Sequence, residues 1–158
     1  MITRTNIIRE TIEHFCDSGD VDNFAWGQAR DKGKGHVEEG GCRYRTRDGK
    51  ACAVGRYIPD TVYDPIIEGA RAEAVLMKVT RLIDNKPTSV FVHPQIANAI
   101  PLSHDPQFWR RLQRAHDYAA SRCSESLKWR QNYLRNRLRE MMADAEQADK
   151  QDALVRRS

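Results

Sequence analysis

The dipeptide Asp48-Gly49, set in Arg47-Asp48-Gly49-Lys50, restricts the fold more than any other feature of this chain. Glycine takes a positive φ without steric cost, so the backbone turns back on itself here and a tight β-hairpin is expected around it. Two registers compete. A two-residue loop sets Arg45 opposite Cys52. A three-residue loop with a bulge at Gly49 sets Tyr44 opposite Cys52 and Cys42 opposite Val54. Paired residues share a face, and a one-residue slip exchanges the faces. Only the bulged register sorts the side chains, with Cys42, Tyr44, Cys52 and Val54 on one side and Arg43, Arg45, Ala51 and Ala53 on the other. That register is the expectation. It places the apolar side inward and leaves Arg43, Arg45, Arg47 and Lys50 as an outer basic surface.

Past Val54 the chain stops reading as strand. Pro59 has no N–H for a central ladder, Asp60 can cap a helical turn, Pro65 suits a first helical position and Gly69 makes a break. Helical spacing of apolar residues predicts amphipathic helices over 5–17 (Ile8, Ile12, Phe15), 70–84 (Val75, Leu76, Val79, Leu82, Ile83), 105–121 (Phe108, Leu112, Ala115, Ala119) and 125–148 (Leu127, Leu134, Leu138, Met141, Ala145). A short helix fits 94–99. Residues 89–92 read as a third strand for the hairpin or as an extended connector. The expected fold is α+β and mainly α: a small hairpin, of two or three strands, packed against three or four amphipathic helices. Residues 1–148 form one globular domain, with 149–158 as a frayed tail.

The residues Cys42-x-Tyr44-Arg45, Asp48-Gly49, Cys52-Ala53-x-Gly55, Ile58-Pro59-Asp60, Tyr63 and Glu68-Gly69 together resemble a pattern found in small phage and prophage proteins. Leu112-Gln113-x-x-His116-Asp117 is a weaker echo of it. The resemblance implies a mobile-element setting, and with it a host-cell cytoplasm and a host macromolecule as partner. It brings no reaction with it.

Charge narrows the classes further. The formal net charge is +4. Residues 105–139 hold nine Lys or Arg against three Asp or Glu. A basic middle of this kind can hold an anionic partner. No run reaches the roughly 20 apolar residues of a membrane span, and the charged N-terminal stretch has no secretory core, so a cytoplasmic protein without a membrane role is expected. The first reading is a protein that captures or inhibits a host protein or nucleoprotein complex by binding, without catalysis or cofactor. Its contacts would come from Arg43, Arg45, Arg47, Lys50, Arg110, Arg114, Arg130 and Arg137. The second reading gives the same arginines to nucleic acid, since their planar forks suit phosphate. The third is a small enzyme using His116, Asp117, Asp60 and Glu68. Four cysteines with no CxxC pair read as buried thiols; a zinc site of Cys42, Cys52, His36 and Cys16 is the alternative. A homodimer through helix 125–148 is a further option if Trp129 is left uncovered.

Overall fold

The computed structural model describes residues 2–26, 43–46, 48–84 and 86–156. Helix α1 spans Arg4–Cys16, capped by Thr3, whose hydroxyl accepts from Asn6 N while the Asn6 side chain answers back to Thr3. Helix α4 spans Pro106–Ser121 and helix α5 spans Leu127–Val155. Asp105 caps α4 through Phe108 N at 3.0 Å, with Pro106 in the first turn where its missing N–H costs nothing. Ser126 caps α5, its hydroxyl accepting from Trp129 N at 3.2 Å. The three helices bury their predicted stripes together: Ile7, Ile8 and Phe15 from α1, Phe108, Leu112 and Ala119 from α4, Leu134, Leu138 and Ala145 from α5. α5 packs along both α1 and α4. Trp109 is the largest fully buried side chain, and its indole N–H donates to Pro101 O at 3.0 Å.

The fold is mainly helical with an antiparallel β-hairpin, as the sequence implies, but among the described residues the two-stranded sheet lies elsewhere. Strand β1 (Lys78–Ile83) pairs with strand β2 (Lys86–Phe91), in the middle of the predicted 70–84 helix and the 89–92 segment. Helix survives only as α2, Ala72–Val75, ahead of α3 at Pro94–Ala99. The predicted stripe splits accordingly. Val75 and Leu76 are buried, whereas Leu82 and Ile83 project into solvent. Asp84, at φ 51, supplies the left-handed turn residue that a two-residue hairpin connection requires. β-branched Val79, Thr80, Ile83, Thr88 and Val90 then favour strand over helix.

Around Gly49 the bulged register is present. Arg45 bridges Ala51, Thr46 N donates to Lys50 O at 2.9 Å, and Gly49 has φ +84. Tyr44, Cys52 and Val54 are buried as expected. Among the described residues the ladder shows that bridge, and past Cys52 the chain turns and coils into a 3-10 helix at Gly55–Tyr57. Alternation therefore does not leave one side wet: Ala53 is buried, and so is Arg43 at 3 % exposure. Arg45 also turns inward. Its guanidinium donates to Ile58 O (2.6 Å) and to Gly55 O, which also accepts from Ile58 N at 3.1 Å, and it meets Asp60 Oδ1 at 3.3 Å.

Of the residues expected as a frayed tail, those as far as Val155 are helical. α5 continues through Val155, and its last turns hold α1. Arg4 lies in a clasp of three carboxylates: Nε to Asp105 at 2.7 Å, and Nη1 to Asp149 at 3.1 Å and Asp152 at 2.8 Å. Asp149 also accepts from Arg4 N at 3.1 Å and Thr5 N at 3.0 Å, which puts a negative charge on the N-terminal amides of α1. Burial alone would lower the Arg4 pKa, but the hydrogen bonds from Asp152, Asp105 and Asp149 outweigh it and raise it. Among the described residues no helix is long and apolar enough to cross a membrane.

Candidate binding face on α4 and α5

Four-residue spacing brings side chains into line on a helix. On α4 the line is Arg110, Arg114, Tyr118 and Arg122; on α5 it is Trp129, Tyr133 and Arg137. Both lines face outward beside each other. Tyr118 and Tyr133 have ring centroids 4.6 Å apart, and Trp129 stacks on Tyr133 at 5.5 Å. Trp129 remains 39 % exposed. A 270 Å³ groove between the helices is lined by Arg111, Arg114, Tyr118, Tyr133 and Arg137. On the other flank of α4, where it meets the segment around α2, two more concavities open. One of 510 Å³ includes Trp26, Arg43, Arg71, Gln113, Arg114 and Tyr118. The other, of 350 Å³, includes Arg71, Glu73, Arg110, Arg114 and Asp117. Arg114 borders all three.

Most of these cations already have partners. Arg110 meets Glu73 at 3.2 Å and Arg111 meets Asp144 at 2.9 Å. Arg137 pairs with Glu140 one turn on. Arg122 donates to the Tyr118 hydroxyl at 2.8 Å and lies over its ring. Among the described residues, none forms an ion pair with Arg114 or Arg71. The interspersed Glu73, Asp117 and Glu140 give the face a mixed pattern rather than a continuous positive field.

The predicted contact residues divide. Arg43, Arg110 and Arg114 come together around the concavities, and Arg137 borders the groove. Arg130 does not belong to a surface: it bonds Asp22 at 2.7 Å, lies over the Phe24 ring at 5.1 Å and is buried. Arg45 is spent inside, and Lys50 pairs with Asp48 at 3.5 Å. Arg47 lies outside the described residues. Sequence reasoning missed Arg71, because a helix was expected over it. It also missed the Tyr118–Tyr133–Trp129 run, which the spacings 110/114/118/122 and 129/133/137 could have revealed.

The enzyme reading places four residues that the structure uses otherwise. Glu68 accepts from Tyr44 N at 3.0 Å, Arg45 N at 2.9 Å and the Tyr63 hydroxyl at 2.7 Å. Asp60 holds Arg45. His116 is fully buried, with its ring 4.8 Å from Phe15 and 5.5 Å from Phe24. Its Nδ1 lies 3.3 Å from Asp117 Oδ1, so the neighbouring carboxylate does bend round to it despite the ~100° between consecutive side chains. A general base must reach the proton it takes, and burial keeps this ring from solvent. Of the zinc set, Cys42 and His36 lie outside the described residues. Cys16 is buried, which pushes its thiol up to about 11, and Cys52 Sγ accepts from Gly55 N at 3.3 Å. Among the described residues no three His, Cys, Asp or Glu side chains are grouped to hold a metal ion.

His14 gives this end of the core a pH dependence. Burial, helped by the nearby Arg56 and His116 charges, lowers its pKa to about 4. The native state then resists a proton that the unfolded chain accepts near pH 6.5. Stability should fall as pH drops from about 6.5 toward 4 and level off below that. With the ring partly exposed, the loss is on the order of 1–2 kcal/mol. Urea melts at pH 7 and pH 4.5 should show it for the wild type, and the difference should shrink in His14→Gln.

No known protein family, no curated protein and no solved structure matches this chain.

Proposed function

We propose that this chain is a phage-type binding protein that captures a host protein, alone or within a nucleoprotein complex, by laying the α4–α5 face against an acidic surface in the host cytoplasm, without catalysis. The observation that carries this reading is Arg114: an exposed cation with no ion pair among the described residues, at the junction of three concavities, sharing its groove with exposed Tyr118 and with Tyr133, on which exposed Trp129 stacks. Arginine, tyrosine and tryptophan are the residues that dominate protein–protein hot spots. Arg71 adds a second open charge on the same flank. Carboxylates set among the arginines favour the spaced acidic side chains of a protein surface over the continuous charge of a polyphosphate.

Arg114→Glu should weaken capture of the partner from nuclease-treated host lysate at least about tenfold, equivalent to roughly 1.4 kcal/mol, with the melting temperature unchanged. Equal capture by the variant would remove this face from the function. Nucleic acid is the second reading, and the stacked Trp129–Tyr133 pair beside Arg114 favours it, because bases stack on such rings. Under that reading, affinity for a single-stranded oligonucleotide falls with salt at a log–log slope of about −0.7 per phosphate contact. Under the protein reading, oligonucleotide binding stays weak.

A further inference from the structure

β1 carries a backbone edge that nothing among the described residues covers. Ile83 pairs with Lys86, and Val92 N donates to Met77 O at 2.9 Å. Bonded and non-bonded pairs alternate along an antiparallel ladder. Residues 77, 79, 81 and 83 therefore turn their backbone groups toward β2, while Lys78, Thr80 and Leu82 turn theirs outward. The sheet has two strands among the described residues, so these outward groups have no third strand. On β2 the same parity directs Pro87 outward, which removes a donor from that edge. β1 has no proline, and its register with β2 is continuous, without a bulge.

The side chains say what would fit. Lys78, Thr80 and Leu82 share one face, and Val79, Arg81 and Ile83 share the other. Leu82 is 75 % exposed and Ile83 is exposed beside it. Lys78, Arg81 and Lys86 outnumber Asp84, so the hairpin is cationic with an apolar tip. A second copy of β1 would bring the same cations into one sheet, whereas opposite charges across strands attract. We infer that the outer edge of β1 is a docking site for an extended segment of another protein, which pairs as a third strand and sets carboxylates opposite Lys78 and Arg81 and apolar side chains opposite Leu82 and Ile83. Main-chain bonds would supply affinity and the alternating side chains specificity. This edge is separate from the α4–α5 face and does not rest on it.

An array of nine-residue peptides with glutamate, valine and threonine in every arrangement tests the edge on the full chain, with lysine-for-glutamate arrays as control. Glutamate-bearing members should bind and the lysine arrays should not. The best peptide should slow amide exchange of Lys78, Thr80 and Leu82 at least tenfold. Thr80→Pro removes an outward N–H while leaving the ladder intact, and should bind at least tenfold more weakly; Thr80→Ala should bind as the wild type does. Arg114→Glu should also bind normally. The inference is overturned by silence across the glutamate array, by equal binding of the lysine array or of Thr80→Pro, or by loss of binding in Arg114→Glu. Self-association of the wild type that Thr80→Pro abolishes would also overturn it, by making the occupant a second copy.

Discussion

Gly55→Ala should cost the protein its native fold. A Cβ at this position would lie 2.1 Å from Tyr44 O, 2.9 Å from Tyr44 C and 3.0 Å from its Cα. Those atoms are backbone, so no rotamer change relieves the clash. Nor is Tyr44 free to retreat: Glu68 holds its N–H, and its hydroxyl donates to Ala70 O at 3.0 Å. Moving it would break the Glu68 carboxylate away from Arg45 N and the Tyr63 hydroxyl as well. The expected loss is more than about 4 kcal/mol, the range reserved for a few severe mechanisms. Circular dichroism melts and amide spectral dispersion should show a destabilised or unfolded chain. A Gly55→Ala protein melting within a few degrees of wild type would mean that this contact is looser than described.

Arg4→Met should produce the second largest effect. Methionine keeps much of the aliphatic stem but leaves Asp105, Asp149 and Asp152 facing a space without a cation. Removing the cation from a fully buried cluster costs about 3 kcal/mol or more; here the carboxylates are partly exposed and water screens them, so the expected loss is about 1–3 kcal/mol. For a chain of this size that corresponds to a drop in Tm of roughly 2–12 °C. The clasp should also have an acid limb. Hydrogen bonding from Arg4 lowers the Asp152 pKa, and hydrogen bonds from Thr5 and Arg4 lower that of Asp149 against the opposing effect of burial. Their contribution is present above the ordinary carboxylate range and is lost as pH falls through the depressed values. Arg4→Met should flatten that part of the stability profile as well as lower it.

These two sites illustrate what could be read from residues alone. The long helices were legible because their apolar spacing and their caps agree, as at Asp105-Pro106 and along Leu134, Leu138 and Met141. The turn at Gly49 was legible for the same reason. The β1–β2 hairpin was not, since Val75, Leu76, Val79, Leu82 and Ile83 match a helical period, while the competing signals, Asp84-Asn85 and the β-branched residues, are local and weaker in a pattern count. The inward turn of Arg45 could not be read either, because the Gly55 and Ile58 carbonyls that it bonds come within its reach only once the chain coils at Gly55. At the candidate face, the arginines of α4 were visible in the charge count, but Arg71 reaches them through packing of α2 on α4, where Ala72 N donates to Gln113 at 2.7 Å.

The residues forming the Arg4–Asp149 bond are 145 positions apart. During translation, α1 must therefore wait until α5 has been made before the helix it packs along emerges, with its apolar stripe incompletely covered in the meantime. Distant pairings of this kind slow folding and prolong the life of sticky intermediates. A nascent chain stalled before residue 149 should bind holdase chaperones through its first helix, and one extended past residue 155 and clear of the ribosome should release them.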